Sequence, residues 1–181
     1  MTKFKYAFIM NSATQTPETY KEIHENRNSY FLIAAVNSME MAAELARELS
    51  EKEFTVIDLC GDFDEEKAAV IAEAAGGKIE VGYAKYSSED LEKLDALESM
   101  TEYGVILMES SLPEIEWSRL ECDEFKTTVA FVNSLESACT AAAEMIEDGV
   151  NFIEMCGWFD EEKTKEVIKS IGGAVPVGYC G

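Results

Sequence analysis

The sequence predicts an α/β protein built from two tandem copies of one unit of roughly 90 residues. The first observation is a gapless alignment of residues 34–83 with residues 130–179, in which 22 of 50 positions are identical. The second is the regular alternation of short apolar runs with stretches that carry helix-start signals. The third is an ordinary globular composition of 47% hydrophobic and 28% charged residues in 181 positions.

Four short β-rich runs in each copy predict four buried parallel strands. In the order of the chain, these runs are Tyr6–Met10, Tyr30–Val36, Phe54–Cys60 and Ile79–Tyr83 in the first copy, and Tyr103–Met108, Thr128–Val132, Val150–Cys156 and Val175–Tyr179 in the second. Helices between them would complete a β-α-β-α-β-α-β order, with right-handed crossovers between the strands.

The three helices of each copy are predicted from their start and stop signals. A first helix would begin at Thr16-Pro17, and at Ser111-Leu112-Pro113 in the second copy, because proline suits the first helical position. The spacing of Asn37 with Glu40, and of Asn133 with Glu136, predicts capping boxes for the second helix. The third helix would start in the string CGxFDEEK, with Asp64 or Asp160 as its N-cap and a Gly-Gly pair at its end.

Two arrangements of these copies fit the pattern. In the favoured one, residues 1–86 and residues 102–181 form two α/β repeats related by a pseudo-twofold axis, and residues 87–101 form a connecting helix. In the alternative, two half-barrels close into one compact (βα)8-like barrel, although such barrels normally need more than about 200 residues.

Charge and cysteine content narrow the function classes. A net charge of −21 disfavours nucleic acid and anionic membranes as partners, because both repel an acidic chain. Five cysteines without a CxxC pair, and no export signal, predict a reducing cytoplasmic setting. A single histidine, His24, makes a zinc site improbable, and we read it as a surface helix residue. No motif indicates a particular cofactor.

The residues that match between the copies predict a site at the carboxyl ends of the strands, where open parallel sheets bind ligands. The candidate ligand-binding residues are Asn37, Cys60 and Gly61 in the first copy, and Asn133, Cys156, Gly157 and Trp158 in the second. Each also has a structural reading, as an N-cap, a turn glycine or a buried thiol. Trp158 replaces Asp62, which predicts that the two copies offer different environments.

Catalytic candidates are weaker. Cys60 and Cys156 would lie at helix starts, where the dipole favours a thiolate, yet one histidine cannot serve both as a base. Tyr83 and Tyr179 end the last strands and are the remaining candidates. Successive acids after Phe63 and Phe159 are more typical of helix N-termini than of a cation site, so no metal is expected.

The strings C-G-x-F and G-G-x-x-x-V-G-Y resemble a family of small, uncharacterised bacterial proteins classed as a domain of unknown function. Its members are about one copy long, with a strand ending in L-C-G-G-F and a later G-G-K-V-P-V-G. Residues 58–63 and 172–178 match these in part, with Asp62 and Trp158 standing where the second glycine would be. The resemblance implies an α/β unit that assembles as pairs, and it implies no activity.

Together these features predict a cytoplasmic protein that binds a small polar or anionic metabolite at the strand ends. Two alternatives remain open: a structural or assembly module without a ligand site, and a lyase- or isomerase-type enzyme that uses a strand-end Cys or Tyr. The duplication predicts a pseudo-dimer within the chain, which could further form a homo-oligomer.

Overall fold

The chain folds into two compact units, the first ending at Tyr83 and the second beginning at Ala84. The structure is a computed structural model that describes residues 2–181. Each unit contains one five-stranded sheet. The tandem α/β architecture is therefore confirmed, and the single closed barrel is wrong because the strands form two separate sheets. The pairing of the units about a pseudo-twofold axis stays a prediction.

Unit 1 has the sheet order β2-β3-β1-β4-β5, in which only β2 runs antiparallel to its neighbour. Its strands are β1 (Phe4–Asn11), β2 (Lys21–Glu25), β3 (Ser29–Val36), β4 (Val56–Leu59) and β5 (Glu80–Tyr83). Its helices are α1 (Met39–Glu51), between β3 and β4, and α2 (Glu65–Ala74), between β4 and β5.

Unit 2 repeats this order as β7-β8-β6-β9-β10, again with one antiparallel edge strand, β7. Its strands are β6 (Glu102–Met108), β7 (Glu116–Glu121), β8 (Lys126–Val132), β9 (Phe152–Met155) and β10 (Val177–Tyr179). Helices α4 (Leu135–Glu147) and α5 (Glu161–Ser170) correspond to α1 and α2. Helix α3 (Ser88–Asp95) precedes β6 and belongs to this unit.

The first predicted helix of each copy is wrong, because a turn and an antiparallel strand replace it. The amides of Thr19 and Tyr20 donate to the carbonyl of Thr16, which makes one tight turn and no more. The next residues, KEIHE, alternate between exposed and half-buried positions, as a half-covered strand requires. His24 consequently lies in edge strand β2, with its ring edge-on to Phe31, and not on a surface helix.

The second helix of each copy starts one residue later than predicted. The N-cap residues are Ser38 and Ser134, whose hydroxyls accept from the amides of Met41 and Ser137. Asn37 and Asn133 precede these caps and do not form them. Asp64 and Asp160 do cap α2 and α5, as predicted, and both Gly-Gly pairs adopt left-handed backbone angles.

This shift predicts a difference between adjacent substitutions. We expect Ser38→Ala to lower the free energy of unfolding by about 1 kcal/mol, because it removes the acceptor for an exposed helix amide. Asn37→Ala should cost less than about 0.5 kcal/mol, since Asn37 is exposed at the surface. Urea denaturation of the full chain measures both. If Asn37→Ala lowered the free energy of unfolding as much as Ser38→Ala, Asn37 would contribute to capping α1 as the sequence predicted.

The two main helices of each unit pack against each other and therefore cover the same face of their sheet. Gly104 marks that face in unit 2, because a Cβ atom there would lie 2.9 Å from Met145 of α4 and 3.1 Å from Ile153 of β9. Side chains alternate along a strand, so Tyr103, Glu154 and Cys156 point to the opposite face. These three side chains are also buried.

No helix among residues 2–181 has the length and apolar character needed to cross a membrane.

Candidate functional site

The predicted site residues of each unit lie along one edge of its sheet. Parallel strands β1, β3, β4 and β5 end there, and helices α1 and α2 begin there. Asn37 follows β3, Cys60 and Gly61 follow β4, and Tyr83 ends β5. The residues occur in the same places in unit 2, where Asn133 follows β8, Cys156, Gly157 and Trp158 follow β9, and Tyr179 ends β10. We call this edge the strand-end edge.

The two repeated thiols at this edge are buried. Cys60 is 6% exposed and Cys156 is 4% exposed, and each sulfur accepts a hydrogen bond from a backbone amide, 3.3 Å away on the neighbouring strand. Within unit 1, His24 on β2 is separated from β4 by both β3 and β1, so it is not the base for Cys60. A nucleophilic role of either thiol stays a prediction.

The repeated asparagines differ in their surroundings. Asn37 is exposed, whereas Asn133 is half-buried and holds its turn together. The Asn133 amide donates to the carbonyl of Leu112 at 3.0 Å, and its oxygen accepts from the hydroxyl of Ser137 at 3.1 Å. The structure therefore gives Asn133 a fixed place in the fold of unit 2, while Asn37 is available at the surface of unit 1.

Three side chains form a polar cluster at the end of β1 and β4 in unit 1. The Asn11 amide donates to the Asp62 carboxylate at 3.3 Å, and the Lys67 ammonium donates to the Asp62 backbone carbonyl at 2.9 Å. Lys67 also lies 3.8 Å from the carboxylate of Asp64, the N-cap of α2. We call Asn11, Asp62 and Lys67 the polar triplet.

The corresponding three positions of unit 2 carry Met108, Trp158 and Lys163, which we call the aromatic triplet. The Trp158 ring is 42% exposed, meets Phe159 edge-on at 5.0 Å, and has the Lys163 ammonium 4.8 Å from its centre. Lys163 also donates to the side chain of Asp160, and this hydrogen bond lowers the pKa of the Asp160 carboxyl below its ordinary value. Met108 occupies the position of Asn11, so unit 2 lacks the side-chain amide that donates to Asp62 in unit 1.

A buried carboxylate lies two residues before each thiol, and the sequence analysis did not predict it. Asp58 on β4 accepts from the hydroxyl of Tyr6 at 2.8 Å, and both residues are nearly inaccessible to solvent. In unit 2, Glu154 accepts from Tyr103 and, at 2.6 Å, from Tyr86. The sequence did contain a signal for them, namely an acidic residue inside an otherwise apolar strand. Such an acid needs a hydrogen-bond partner when it is buried.

Tyr86 belongs to a segment that precedes β6 and packs on the edge of sheet β7-β8-β6-β9-β10. We call residues 84–95, which include α3, the arm. Lys85 and Tyr179 exchange two backbone hydrogen bonds of 2.9 and 3.0 Å, so the arm extends the sheet beyond β10. The buried carboxylate of Asp90 in α3 accepts from the amide of Val177 at 3.4 Å.

Among the residues that the structure describes, no group of three His, Cys, Asp or Glu side chains is arranged to hold a metal ion.

Comparisons with known proteins identify the repeated domain. A family model described as a family of unknown function (DUF6506) matches residues 4–99 and again residues 101–181. The two matches confirm that the chain contains one domain of unknown function twice in tandem. A search of curated proteins found no match.

One solved structure with limited similarity is an ABC transporter periplasmic solute binding protein from Actinobacillus succinogenes 130z with bound D-allose. It is 13% identical, and the comparison covers 97% of this chain and 77% of that chain, with a TM-score of 0.31. Similarity at this level supports no conclusion about the fold or the ligand of this chain.

Proposed function

The chain belongs to the DUF6506 family, and from that premise we propose that it binds a small polar metabolite at the strand-end edge. The observation that carries the proposal is the aromatic triplet of unit 2. A tryptophan that leaves two fifths of its surface in solvent, at the end of a buried parallel strand, offers apolar surface beyond its contacts with Lys163 and Phe159.

The chemistry of the edge favours a planar ligand in unit 2. Lys163 and Phe159 fix the orientation of the indole of Trp158, and stacking on a held aromatic ring stabilises a base-like ligand by about 1–3 kcal/mol. Asp160 already accepts from the Lys163 amide at the start of α5, so the indole of Trp158, and not the helix start, is the surface proposed for the ligand. A neutral polar ligand suits this place better than an anion, because Asp160, Glu161 and Glu162 surround the helix start.

At the corresponding position of the strand-end edge, unit 1 has polar side chains instead of an aromatic ring. The polar triplet presents an amide and a carboxylate that contact each other, and an ammonium group that donates to the backbone carbonyl of Asp62. A ligand there would be held by hydrogen bonds instead of stacking. The two units would accordingly differ in ligand preference. A reducing, cytoplasmic setting is part of this proposal, as the sequence predicts for five cysteines without a CxxC pair.

Intrinsic fluorescence tests this proposal, because the chain has only two tryptophans. In a Trp117→Phe background, Trp158 is the sole emitter, and we would titrate a panel of nucleobases, nucleosides and small aromatic amides. We expect saturable quenching by at least one of them, together with a rise in melting temperature. Trp158→Asp, which installs the unit 1 residue, should weaken binding of that compound roughly ten- to hundred-fold.

A structural or assembly module without a ligand site is the second candidate, and the buried thiols with the hydrogen-bonded Asn133 favour it. In that case no compound of the panel would change the emission of Trp158 in a saturable way. Melting shifts that persist unchanged in Trp158→Asp would likewise argue against the proposed site. An enzyme of the lyase or isomerase type would additionally need Tyr83, Tyr179 or a thiol to reach the bound compound.

A further inference from the structure

Two helices cannot cover a sheet of five strands, and unit 1 leaves a groove where the cover ends. The groove lies between edge strand β2 and helix α1, and its cavity volume is about 430 Å³. This volume is within the range of small-molecule sites. Its floor is apolar and is formed by Ile23, Tyr30, Leu32, Met41, Leu45 and Phe54. We call it the β2–α1 groove.

Unit 2 has an ion pair across the corresponding place. Arg119 on β7 stands at the position of Ile23, and Asp148 at the end of α4 stands at the position of Lys52. Their side chains form an ion pair of 2.5 Å that spans from strand to helix. Two smaller cavities, of about 360 and 350 Å³, remain, and this pair lines both. The same architecture is therefore bridged in one unit and open in the other.

The open groove is exposed although it is apolar. Ile23, which lines the groove, has 43% of its surface in solvent. An apolar groove of this size that is open in solution is typical of a binding site.

The charged residues at the rim of the β2–α1 groove indicate which ligand charge it favours. The charged lining residues are Glu18, Glu44, Glu48, Lys21 and Lys52. Glu48 and Lys52 pair with each other at 3.6 Å, which leaves two carboxylates against the single ammonium of Lys21. Throughout residues 2–181, neither Glu18 nor Glu44 has an ion-pair partner. With a net charge of −21 on the chain, the field at this rim favours a cation.

We propose that the β2–α1 groove binds an amphipathic organic cation, with its apolar body along α1 and its protonated amine beside Glu44 and Glu18. The lining residues Met41 and Leu49 are eight positions apart on α1, which at a rise of 1.5 Å per residue gives a floor about 12 Å long. This length suits an alkyl chain of medium size or a two-ring aromatic amine. The site is separate from the strand-end edge and does not depend on the function proposed there.

Calorimetric titration of the full chain tests the proposal with decylamine and decanoate, each below its micelle concentration. These probes share an apolar body and differ in the sign of the head group. We expect one saturable site for decylamine, and at least ten-fold weaker binding of decanoate. Methyl NMR signals of Ile23 and Met41 should shift during the decylamine titration, which locates the site without any substitution.

Two variants give matched controls. The double variant Ile23→Arg with Lys52→Asp installs the ion pair of unit 2 and should reduce decylamine binding at least ten-fold, while the melting temperature stays near that of the parent chain. Glu44→Lys should weaken decylamine binding and strengthen decanoate binding. Trp158→Asp should leave decylamine binding unchanged, so failure of the strand-end proposal and failure of this one are distinguishable.

Equal binding of the two probes, or full decylamine binding by the folded Ile23→Arg/Lys52→Asp variant, would overturn the proposal. Methyl shifts confined to residues outside the groove would do the same.

Discussion

Glu154→Ala is expected to destabilise the chain by about 3–5 kcal/mol, because it removes a buried acceptor that two phenol hydroxyls share. Leaving a buried donor without an acceptor costs about 1–3 kcal/mol, and Tyr103 and Tyr86 would each lose one. The substitution also opens a cavity beside the stacked rings of Tyr103 and Phe152, which adds to the cost. Urea denaturation, followed by circular dichroism, measures the change in the free energy of unfolding.

Glu154→Gln is the matched control, since it keeps the length of the side chain and one carbonyl oxygen. It can still accept from one of the two hydroxyls, so its cost should be clearly smaller than that of Glu154→Ala. If both variants lose the same stability, then the second acceptor oxygen of the carboxylate, and not the volume of the side chain, determines the role of this position. A cost of Glu154→Ala below about 1 kcal/mol would mean that the buried carboxylate contributes little net stability, as buried ion pairs sometimes do.

Local sequence signals predicted most of the fold because they act within one strand or one helix. The apolar run of β1 and the Asp64 cap of α2 each depend on neighbours a few residues away, and both are where the sequence indicated. Gly76 and Gly172 were predicted to end helices, and their positive φ angles show why glycine is favoured at these turns.

The β2 and β7 strands could not be predicted from the same signals. Thr16-Pro17 is a valid helix start, but the residues that follow, KEIHE, have the two-residue alternation of a strand and not the period of a helix. Hydrogen bonding to the edge of β3 then favours the strand. In unit 2, the residues EWSRLE likewise form a strand, which pairs with β8.

The candidate site was predicted in position but not in composition. The string CGxFDEEK located the strand-end edge and the difference between Asp62 and Trp158. It could not indicate that Asn11 stands beside Asp62, because that adjacency requires β1 to pair with β4. The partners of Glu154 are likewise 51 and 68 residues away in the chain, so no local pattern joins them.

The arm shows a further limit of sequence reading. The family model assigns residues 84–95 to the first copy, because its first match extends to residue 99. The structure assigns them to unit 2, where they pair with β10 and bring Tyr86 to Glu154. The arm therefore belongs to the first copy by sequence and to unit 2 by its contacts. The contacts of Tyr86 are among those that join it to unit 2.

Gly178→Val tests whether Tyr86 fastens the arm. A Cβ atom at Gly178 would lie 2.6 to 3.0 Å from three atoms of the Tyr86 ring, so a larger side chain must displace the ring. Displacement of the ring breaks the hydrogen bond from the Tyr86 hydroxyl to Glu154. The free energy of unfolding should fall by about 3 kcal/mol, because the site is overpacked and one carboxylate oxygen of Glu154 loses its donor. Hydrogen exchange of the α3 amides should accelerate more than that of α1 in unit 1, which is the internal reference.

A double-mutant cycle tests whether valine at position 178 destabilises the chain by clashing with the Tyr86 ring or because β10 accepts no side chain at this position. Tyr86→Ala alone should cost about 2–3 kcal/mol, through the loss of ring burial and of one hydrogen bond to Glu154. In that background the ring is gone, so Gly178→Val should cost less than about 1 kcal/mol, because valine itself is favoured over glycine in strands. The expected coupling is then at least about 1–2 kcal/mol, well above the error of additive sites. Strictly additive costs would show that Gly178 is required by the strand itself, and that the arm is held by Lys85 and Asp90 without Tyr86.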